Sequence, residues 1–317
     1  MKHLILNTLT RFNLRLTKIP TAKQSELYLP NGAREYLRHD NPRLIELKGS
    51  YSSHPAIKHS QWSENGNYLK RELSDLARFR ADNAYLYQGR CADEAKYLLS
   101  AYYIKDTDKL GLLDKLTDDS LFGNETYDFD GHIISRDLLD SIIEIDLLES
   151  IFNFAERETF TLLDIGAGYG RLAHRLNEAF PSLKVLATDG VAESTFISEY
   201  YLRFRASRAR VIPLSEVEDK LSGESVDCVT NIHSFSEMPM QSIRYWISLI
   251  RERGVKHLLI APNDTRFLST ERDGQRIDFL PFIESQGYKL VKTLPKYSIE
   301  SVQRCGAFPA TYFLFSL

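Results

Sequence analysis

The chain has 317 residues, of which 43% are hydrophobic and 26% charged, so it is long and apolar enough to bury a full core. Forty basic and forty-three acidic side chains give a net charge of -3, which does not favour nucleic acid as a partner. The cysteines, Cys91, Cys228 and Cys305, form no Cys-x-x-Cys pair, so neither a disulfide framework nor a zinc site is expected, and a cytoplasmic location is predicted.

The N-terminal residues 5–19 have helical periodicity with an apolar face and a basic face. This pattern predicts a helix that packs on the body of the protein or on a second subunit, or that contacts an anionic membrane surface. The apolar run at residues 4–6 is too short for a signal peptide, and no run reaches the roughly 18 apolar residues of a transmembrane helix.

Residues 1–130 are predicted to form a helical N-terminal region that acts as a substrate cap or in oligomerisation. From Thr21 to Asn67, prolines, glycines and polar or aromatic residues favour loops with short helical pieces. This stretch is interpreted as a lid over a polyhydroxylated ligand or as a surface extension. Helical spacing returns at 68–79, 92–104 and 111–121. In the second of these helices the predicted buried face consists of Ala95, Leu98, Leu99 and Tyr102.

Residues 131–317 are predicted to form the second domain, which begins with a helix capped by Ser135. From Thr161 onward strands alternate with helices, which is typical of a mainly parallel sheet covered on both faces. No helix follows the last strand, so it is free to lie antiparallel. We therefore predict an α/β fold with a Rossmann-like seven-stranded sheet and an antiparallel C-terminal strand. The predicted strands are 161–165, 184–188, 209–212, 225–232, 255–261, 288–294 and 311–316.

A glycine-rich turn joins the first of these strands to a helix, in the stretch Asp164-Ile165-Gly166-Ala167-Gly168-Tyr169-Gly170. Such a turn presents bare backbone N–H groups and the positive end of a helix, which suits a nucleotide-type cofactor. The spacing Gly-x-Gly-x-Gly differs from the dinucleotide fingerprint Gly-x-Gly-x-x-Gly, which disfavours a nicotinamide-dependent oxidoreductase.

The second strand ends at Asp189, followed by Gly190. An acid at this strand end lies where a ribose binds, and its carboxylate can accept hydrogen bonds from both ribose hydroxyls. The alternative is that Asp189 only caps the next helix. We interpret the glycine turn, Asp189 and Gly190 together as a cofactor site.

These residues resemble class I S-adenosylmethionine-dependent methyltransferases. The stretch from Asp164 to Gly170 is similar to their motif I, Asp189 to their ribose-binding acid, and the strand Thr311–Ser316 to their seventh, antiparallel strand. Residues 226–239 and 135–142 resemble the bacterial sugar O-methyltransferases that accompany polysaccharide and glycan biosynthesis. The resemblance implies S-adenosylmethionine as the cofactor and a sugar or glycan hydroxyl as the methyl acceptor.

Transfer to a hydroxyl needs in-line placement of the acceptor and a base for its proton. His233, at the end of the fourth strand, is the first candidate base, because its ordinary pKa near 6.5 suits proton uptake at neutral pH. Glu237 is predicted to orient the imidazole or to bind a sugar hydroxyl. Asp264, after the fifth strand, is the second candidate base, with a turn-forming role as its alternative.

Three further residues are candidates for cofactor contacts. Ser215, or its neighbour Glu216, follows the third strand on the side where the resemblance implies adenine. Asn231 can hold the donor or the acceptor hydroxyl, and Arg136 can pair with the carboxylate of the donor. A non-sugar small natural product as acceptor, and a non-catalytic cofactor-binding or scaffold protein, remain as alternatives. No residue spacing indicates a metal site.

Overall fold

The computed structural model describes residues 22–23, 27–57, 60–62 and 72–317. The amphipathic helix expected at residues 5–19 lies outside the described residues, as does the beginning of the helix expected at 68–79. Within the described residues, no helix combines the length and the hydropathy needed to cross a membrane.

The N-terminal region consists of short helices and a small antiparallel sheet. The sheet has three strands in the order β1-β2-β3. The boundary expected between residues 130 and 131 lies in the turn that joins β2 to β3. The elements are β1 (Ala22–Lys23), α1 (Ala33–Tyr36), α2 (Pro42–Tyr51), a 3-10 turn (Leu76–Arg78), α3 (Gln88–Cys91), α4 (Glu94–Thr107), α5 (Leu112–Lys115), β2 (Thr126–Phe129) and β3 (His132–Ile134).

The buried face predicted for α4 is wrong at two of its four positions, since only Leu98 and Leu99 are half-buried and pack against the core. Ala95 and Tyr102 are exposed, and the helix instead buries Tyr97, Ser100, Ala101 and Ile104. Ser100 is buried because its hydroxyl shares a hydrogen bond of 2.9 Å with the hydroxyl of Tyr297, close to the C-terminal end of the chain. Because Ser100 is polar, the pattern of apolar residues along the sequence does not identify the face that is buried. The helix expected at 111–121 is also shorter, since α5 ends at Lys115.

The second region alternates strands and helices as predicted. Ser135 caps its first helix by accepting a hydrogen bond of 3.3 Å from the Leu138 N–H. The elements are α6 (Arg136–Phe152), a 3-10 turn (Phe154–Glu156), β4 (Thr161–Ile165), α7 (Arg171–Ala179), β5 (Lys184–Thr188), α8 (Ala192–Phe204), β6 (Arg210–Val211), a 3-10 turn (Leu214–Glu216), α9 (Val217–Ser222), β7 (Cys228–Ile232), a 3-10 turn (Ser234–Glu237), α10 (Met240–Glu252), β8 (His257–Ala261), α11 (Leu280–Ser285), β9 (Lys289–Pro295), α12 (Glu300–Cys305) and β10 (Thr311–Ser316).

The predicted fold class is confirmed. The seven strands form one sheet in the order β6-β5-β4-β7-β8-β10-β9. Neighbours from β6 to β8 pair in parallel, and β10 is antiparallel to both β8 and β9. The chain leaves β4 toward β5 on one side and returns to β7 on the other, so the strand order reverses between β4 and β7. Open α/β sheets bind ligands at the carboxyl ends of the strands beside such a reversal.

A buried ion cluster connects the N-terminal region to the second region. The guanidinium of Arg80 bonds Asp118 at 2.5 Å and Asp137 at 3.1 Å, and all three side chains are fully buried. Arg175 of α7 bonds the same two carboxylates at 3.1 and 3.0 Å. Asp137 also accepts a hydrogen bond of 2.7 Å from the hydroxyl of Tyr169, within the glycine turn. The region before β4 therefore helps to fix the turn that follows β4.

Candidate functional site

A cavity of about 600 Å³ opens at the carboxyl ends of β4, β5 and β7. This volume lies within the range of roughly 300–1,000 Å³ that is usual for small-molecule sites. One wall is the glycine turn after β4, and the opposite wall comes from the N-terminal region. Predicted site residues that line the cavity are Arg136, Asp164, Gly166, Ala167, Gly168, Asp189, Gly190, His233, Glu237 and Asp264.

The glycine turn has the backbone that its sequence predicts. Gly166, Gly168 and Gly170 have φ angles of 76°, 58° and 84°, in the left-handed region that only glycine enters without strain. The space is also closed to side chains, because a Cβ on Gly166 would overlap the hydroxyl of Ser234. A Cβ on Gly168 would lie 3.1 Å from the ring of Tyr85. The turn therefore brings bare backbone to the cavity wall.

Two carboxyl groups lie beside this turn at the ends of β4 and β5. Asp189 accepts from the N–H of Gly168 at 2.9 Å and from the N–H of Val191 at 2.8 Å. Asp164 accepts from the hydroxyl of Thr230 at 2.8 Å. Burial raises the pKa of each carboxyl to about 7. Both groups therefore change charge near neutral pH, in contrast to exposed carboxyls.

A pair of cations shares a single carboxylate at one end of the cavity. Asp140 accepts from Arg136 Nε at 3.0 Å and from Lys296 Nζ at 2.6 Å, and all three side chains are buried. The Arg136 guanidinium stacks 3.7 Å above the ring of Phe308. Its buried Nη1 has no hydrogen-bond partner in the described part of the chain. Two cations and one anion leave one positive charge that faces the cavity, which favours an anionic ligand group there.

His233 follows β7 with a φ of 68°, which is unusual for a residue with a side chain. Its Nδ1 is buried and makes no hydrogen bond to any described residue. Burial, assisted by the nearby Arg136 cation, lowers the pKa of His233 to about 4. The imidazole is therefore neutral at pH 7 and a weaker base than an exposed histidine. Glu237 does not orient it through Nδ1, contrary to one of the two roles expected for that residue.

Glu237 lies in the 3-10 turn after His233 and faces the N-terminal region. Its Oε2 accepts a hydrogen bond of 3.0 Å from Trp62 Nε1, and a further hydrogen bond joins it to Asn263. Burial raises the pKa of Glu237 to about 7.

Asp264, by contrast, is exposed, and hydrogen bonds of 2.9 and 2.7 Å from Arg266 lower its pKa. Glu237 is thus the better proton acceptor of these two carboxylates.

Three residues predicted to contact the cofactor are not part of the cavity wall. Gly170 faces α8 instead, where a Cβ would lie 2.7 Å from the hydroxyl of Ser198. Ser215 is exposed on the 3-10 turn after β6. Asn231 is buried, and its side chain is used within the protein: Nδ2 donates to Ile165 O at 2.9 Å and to Ser234 Oγ at 2.6 Å, and Oδ1 accepts from Phe235 N at 2.9 Å. Asn231 therefore fastens the end of β4 to the turn after β7, a positioning role that spacing alone does not distinguish from ligand binding.

Two residues of the cavity wall, Tyr85 and Trp62, and one residue behind the wall, Lys296, were not predicted from the sequence. Tyr85 covers the glycine turn and shares a hydrogen bond of 2.8 Å with the hydroxyl of Ser194, while Trp62 reaches Glu237. Lys296 follows β9 and supports Arg136 through Asp140. The aromatic content of the stretch from Thr21 to Asn67 was the only available signal for Trp62. Tyr85 and Lys296 carry no motif, since they reach the site through the tertiary fold.

No protein-family model and no curated protein sequence matches this chain. Similar solved structures include an S-adenosylmethionine-dependent methyltransferase from Clostridium acetobutylicum ATCC 824, at 13% identity and a TM-score of 0.38 over 55% of this chain and 90% of that one. Another is a magnesium protoporphyrin IX methyltransferase from Synechocystis PCC 6803 with bound S-adenosylmethionine (11%, TM-score 0.39, 70% and 94%). A third is an O-methyltransferase family protein from Burkholderia thailandensis (14%, TM-score 0.40, 57% and 59%).

Proposed function

We propose that this chain is an S-adenosylmethionine-dependent methyltransferase that acts on a sugar hydroxyl. The observation that carries the proposal is that a Gly-x-Gly-x-Gly turn, an acid at the end of β5 and a guanidinium with an unused buried donor line the same cavity. Each feature suits one part of the donor: the bare backbone of the turn allows the donor to approach closely, the acid can bind the ribose hydroxyls, and the guanidinium can bind the carboxylate.

The residues present fit this cofactor. The Nη1 of Arg136 is a buried donor without a partner among the described residues, and the surrounding group carries one excess positive charge, so a ligand carboxylate would satisfy both. A carboxylate has about four acceptor sites, so Asp189 can accept from ribose hydroxyls in addition to Gly168 and Val191. The bare turn at Gly166 and Gly168 allows close approach of a ligand to the backbone.

When bound, S-adenosylmethionine supplies a methyl group on a sulfonium whose leaving group is a neutral thioether. The protein then has to position the acceptor hydroxyl and take up its proton. His233 and Glu237 both face the cavity beyond the glycine turn. General-base catalysis is most effective when the pKa of the base lies near the working pH, which favours Glu237 at about 7 over His233 at about 4. We therefore propose Glu237 as the base and His233 as a hydrogen-bonding partner of the acceptor.

The acceptor end of the cavity supports a polyhydroxylated ligand. Beside Glu237 it combines aromatic surface from Trp62 with polar groups from Gln61, Asn263 and Thr270. A sugar presents apolar C–H faces and a ring of hydroxyls, and this mixture of side chains complements both. The resemblance to sugar O-methyltransferases favours the same class of acceptor.

The proposal is tested in two stages. In a thermal-shift experiment, S-adenosylhomocysteine should stabilise the protein and NAD should not. Asp189→Ala should abolish most of that shift, whereas Ser215→Ala, which changes an exposed residue outside the cavity, should leave it intact. Transfer of a labelled methyl group is then screened across glycans, nucleotide sugars and non-sugar natural products. Stabilisation by NAD alone would reject the cofactor, and transfer only to non-sugar compounds would reject the acceptor.

A further inference from the structure

The turn after β6, where the sequence resemblance implies adenine contacts, is closed by the N-terminal region. The N–H of Leu214 donates a hydrogen bond of 2.7 Å to the hydroxyl of Tyr51, at the end of α2. That hydroxyl also lies 2.9 Å from the hydroxyl of Thr195, and both side chains are buried. The first backbone donor of this turn is thus already used within the protein. Neither Ser215 nor Glu216 lines the cavity.

The cavity continues instead between the beginning of α8 and the segment that follows α2. Gly190 and Val191 form one side, and Ala56 and Ile57 form the other. The backbone oxygen of Ala56 lies beside Gly190, where a Cβ would be 3.9 Å from it, so a ligand at this point meets the edge of the segment and does not pass between Gly190 and Ala56. Because Gly190 directly follows Asp189, this part of the cavity adjoins the carboxylate proposed to hold the ribose.

Ion pairs fix the segment in this place. Arg43 of α2 binds Glu199 of α8 through two hydrogen bonds of 3.0 and 2.6 Å. Lys48, one and a half turns further along α2, pairs with the buried Glu193 at 2.7 Å. With Tyr51, three residues of α2 attach it to α8 and to the turn after β6. These contacts fix the end of α2, from which the chain runs to Ala56 and Ile57 in the cavity wall.

We propose that the base of the donor nucleoside is held by Ala56 and Ile57 against Val191, and not by the turn after β6. This inference rests on the proposed function. Ile57 and Val191 are the apolar side chains that line this part of the cavity, and a flat base requires apolar surface of this kind. The backbone oxygen of Ala56 is an acceptor of the kind that the exocyclic amine of adenine requires. The N-terminal region thereby selects the cofactor as well as covering it.

The test uses two ligands and matched variants of the full chain. 5′-Methylthioadenosine contains the base and ribose but no carboxylate, whereas S-adenosylhomocysteine contains all three. Ile57→Asp should weaken both ligands by about tenfold or more, because it places a charge against the base. Ser215→Asp introduces the same charge on the turn after β6 and should change neither affinity. Arg136→Gln should weaken S-adenosylhomocysteine and spare 5′-methylthioadenosine. Calorimetry measures all affinities.

The results distinguish a failure of this inference from a failure of the proposed function. If Ser215→Asp weakens 5′-methylthioadenosine as much as Ile57→Asp does, or if Ile57→Asp has no effect, the base is not held by this segment. If the unsubstituted protein binds neither ligand, it is the proposed function that fails. Ile57→Ala guards against misfolding of the charged variant, and it should weaken both ligands by about threefold to tenfold through lost apolar contact. An unchanged affinity in a folded Ile57→Ala protein also overturns the inference.

Discussion

Trp62 donates its indole N–H to Glu237 Oε2 at 3.0 Å, and this hydrogen bond joins the N-terminal region to the turn that follows β7. Two opposing effects act on the carboxyl group. Burial raises the pKa of Glu237, and the hydrogen bond from Trp62 lowers it because it stabilises the ionised form. The balance leaves the pKa of Glu237 at about 7, in the pH range where methyl transfer to a hydroxyl would be measured.

Replacement of Trp62 by Phe should raise the pKa of Glu237, because the carboxylate loses a donor while it stays buried. If Glu237 is the base, the rising limb of kcat/KM should move to higher pH by about one unit, the scale of a single hydrogen bond to a charged group. The pH–rate profiles of the two proteins measure the shift. A limb that moves to lower pH would contradict this account of Glu237.

The pH–rate profile also distinguishes the two candidate bases. A base acts in its deprotonated form. If Glu237 is the base, activity should rise as the pH increases past about 7, and if His233 is the base, it should rise as the pH increases past about 4. Glu237→Gln should lower kcat by about two to four orders of magnitude. The loss of kcat is the decisive readout, because Asp164 and Asp189 also have pKa values of about 7 and contribute to the same limb.

His233→Asn is the matched variant, since Asn tolerates the positive φ at this position. It should keep the limb near pH 7 and reduce turnover less than Glu237→Gln. If His233→Asn is instead the variant that abolishes turnover, and the profile of the unsubstituted protein is flat from pH 5 to 8, then His233 is the base.

Gly166→Ala should destabilise the protein and prevent cofactor binding. The φ of 76° costs a residue with a side chain about 1–3 kcal/mol, and the new methyl group would overlap Ser234, which is held by Asn231 at 2.6 Å. Gly49→Ala is the control, because Gly49 lies within α2 and a Cβ there meets no atom within 4 Å. It should stabilise the protein by about 0.5–1 kcal/mol. Urea denaturation measures both changes, and equal effects would refute the argument.

Asp164→Asn should change how stability depends on pH. The pKa of Asp164 is about 7 in the folded protein, and about 3.9 is usual for an unfolded chain. Between these values only the folded state holds the proton, so the carboxyl of Asp164 makes the protein less stable as pH rises from about 4 to 7. The variant keeps an acceptor for Thr230 but does not titrate. Its stability should therefore fall less steeply, by up to about 1.4 kcal/mol per pH unit.

Denaturation at pH 5, 6 and 7 without cofactor measures these slopes. Asp273→Asn changes an exposed carboxylate and serves as the control. Identical slopes for the unsubstituted protein and Asp164→Asn would show that Asp164 is already ionised at pH 5.

Local sequence was sufficient for the sheet and for the glycine turn. The strands predicted at 161–165, 184–188 and 311–316 have those bounds in the structure, because buried strands are apolar runs with turn residues at their ends. The tight turn was predictable because three glycines follow a strand at every second position. The structure shows why glycine is needed there: the backbone is left-handed, and at Gly166 the hydroxyl of Ser234 leaves no room for a Cβ.

Contacts between distant segments could not be predicted in this way. Asn231 has the position and chemistry of a ligand-binding residue. Only the fold shows that its amide forms hydrogen bonds with Ile165, Ser234 and Phe235. Ser215 follows the expected strand, yet the attachment of Tyr51 to Leu214 closes that turn. These outcomes depend on contacts between segments that are 66 residues apart for Asn231 and Ile165 and 163 residues apart for Tyr51 and Leu214. Hydrophobic periodicity holds no information about which distant segments meet.

The buried cluster around Arg80 limits how this protein can be re-engineered. Asp118 and Asp137 are fully buried and rely on Arg80 and Arg175 together. Removal of one partner from such a cluster leaves an uncompensated buried charge, which costs about 3–5 kcal/mol. A chimaera that joins residues 131–317 to a foreign N-terminal segment would lack Arg80 and Asp118 together. Asp137 would keep Arg175 and the hydroxyl of Tyr169, but it would lose its second guanidinium and the packing that buries it. Altered acceptor range is therefore better sought by single substitutions around Trp62 than by segment exchange.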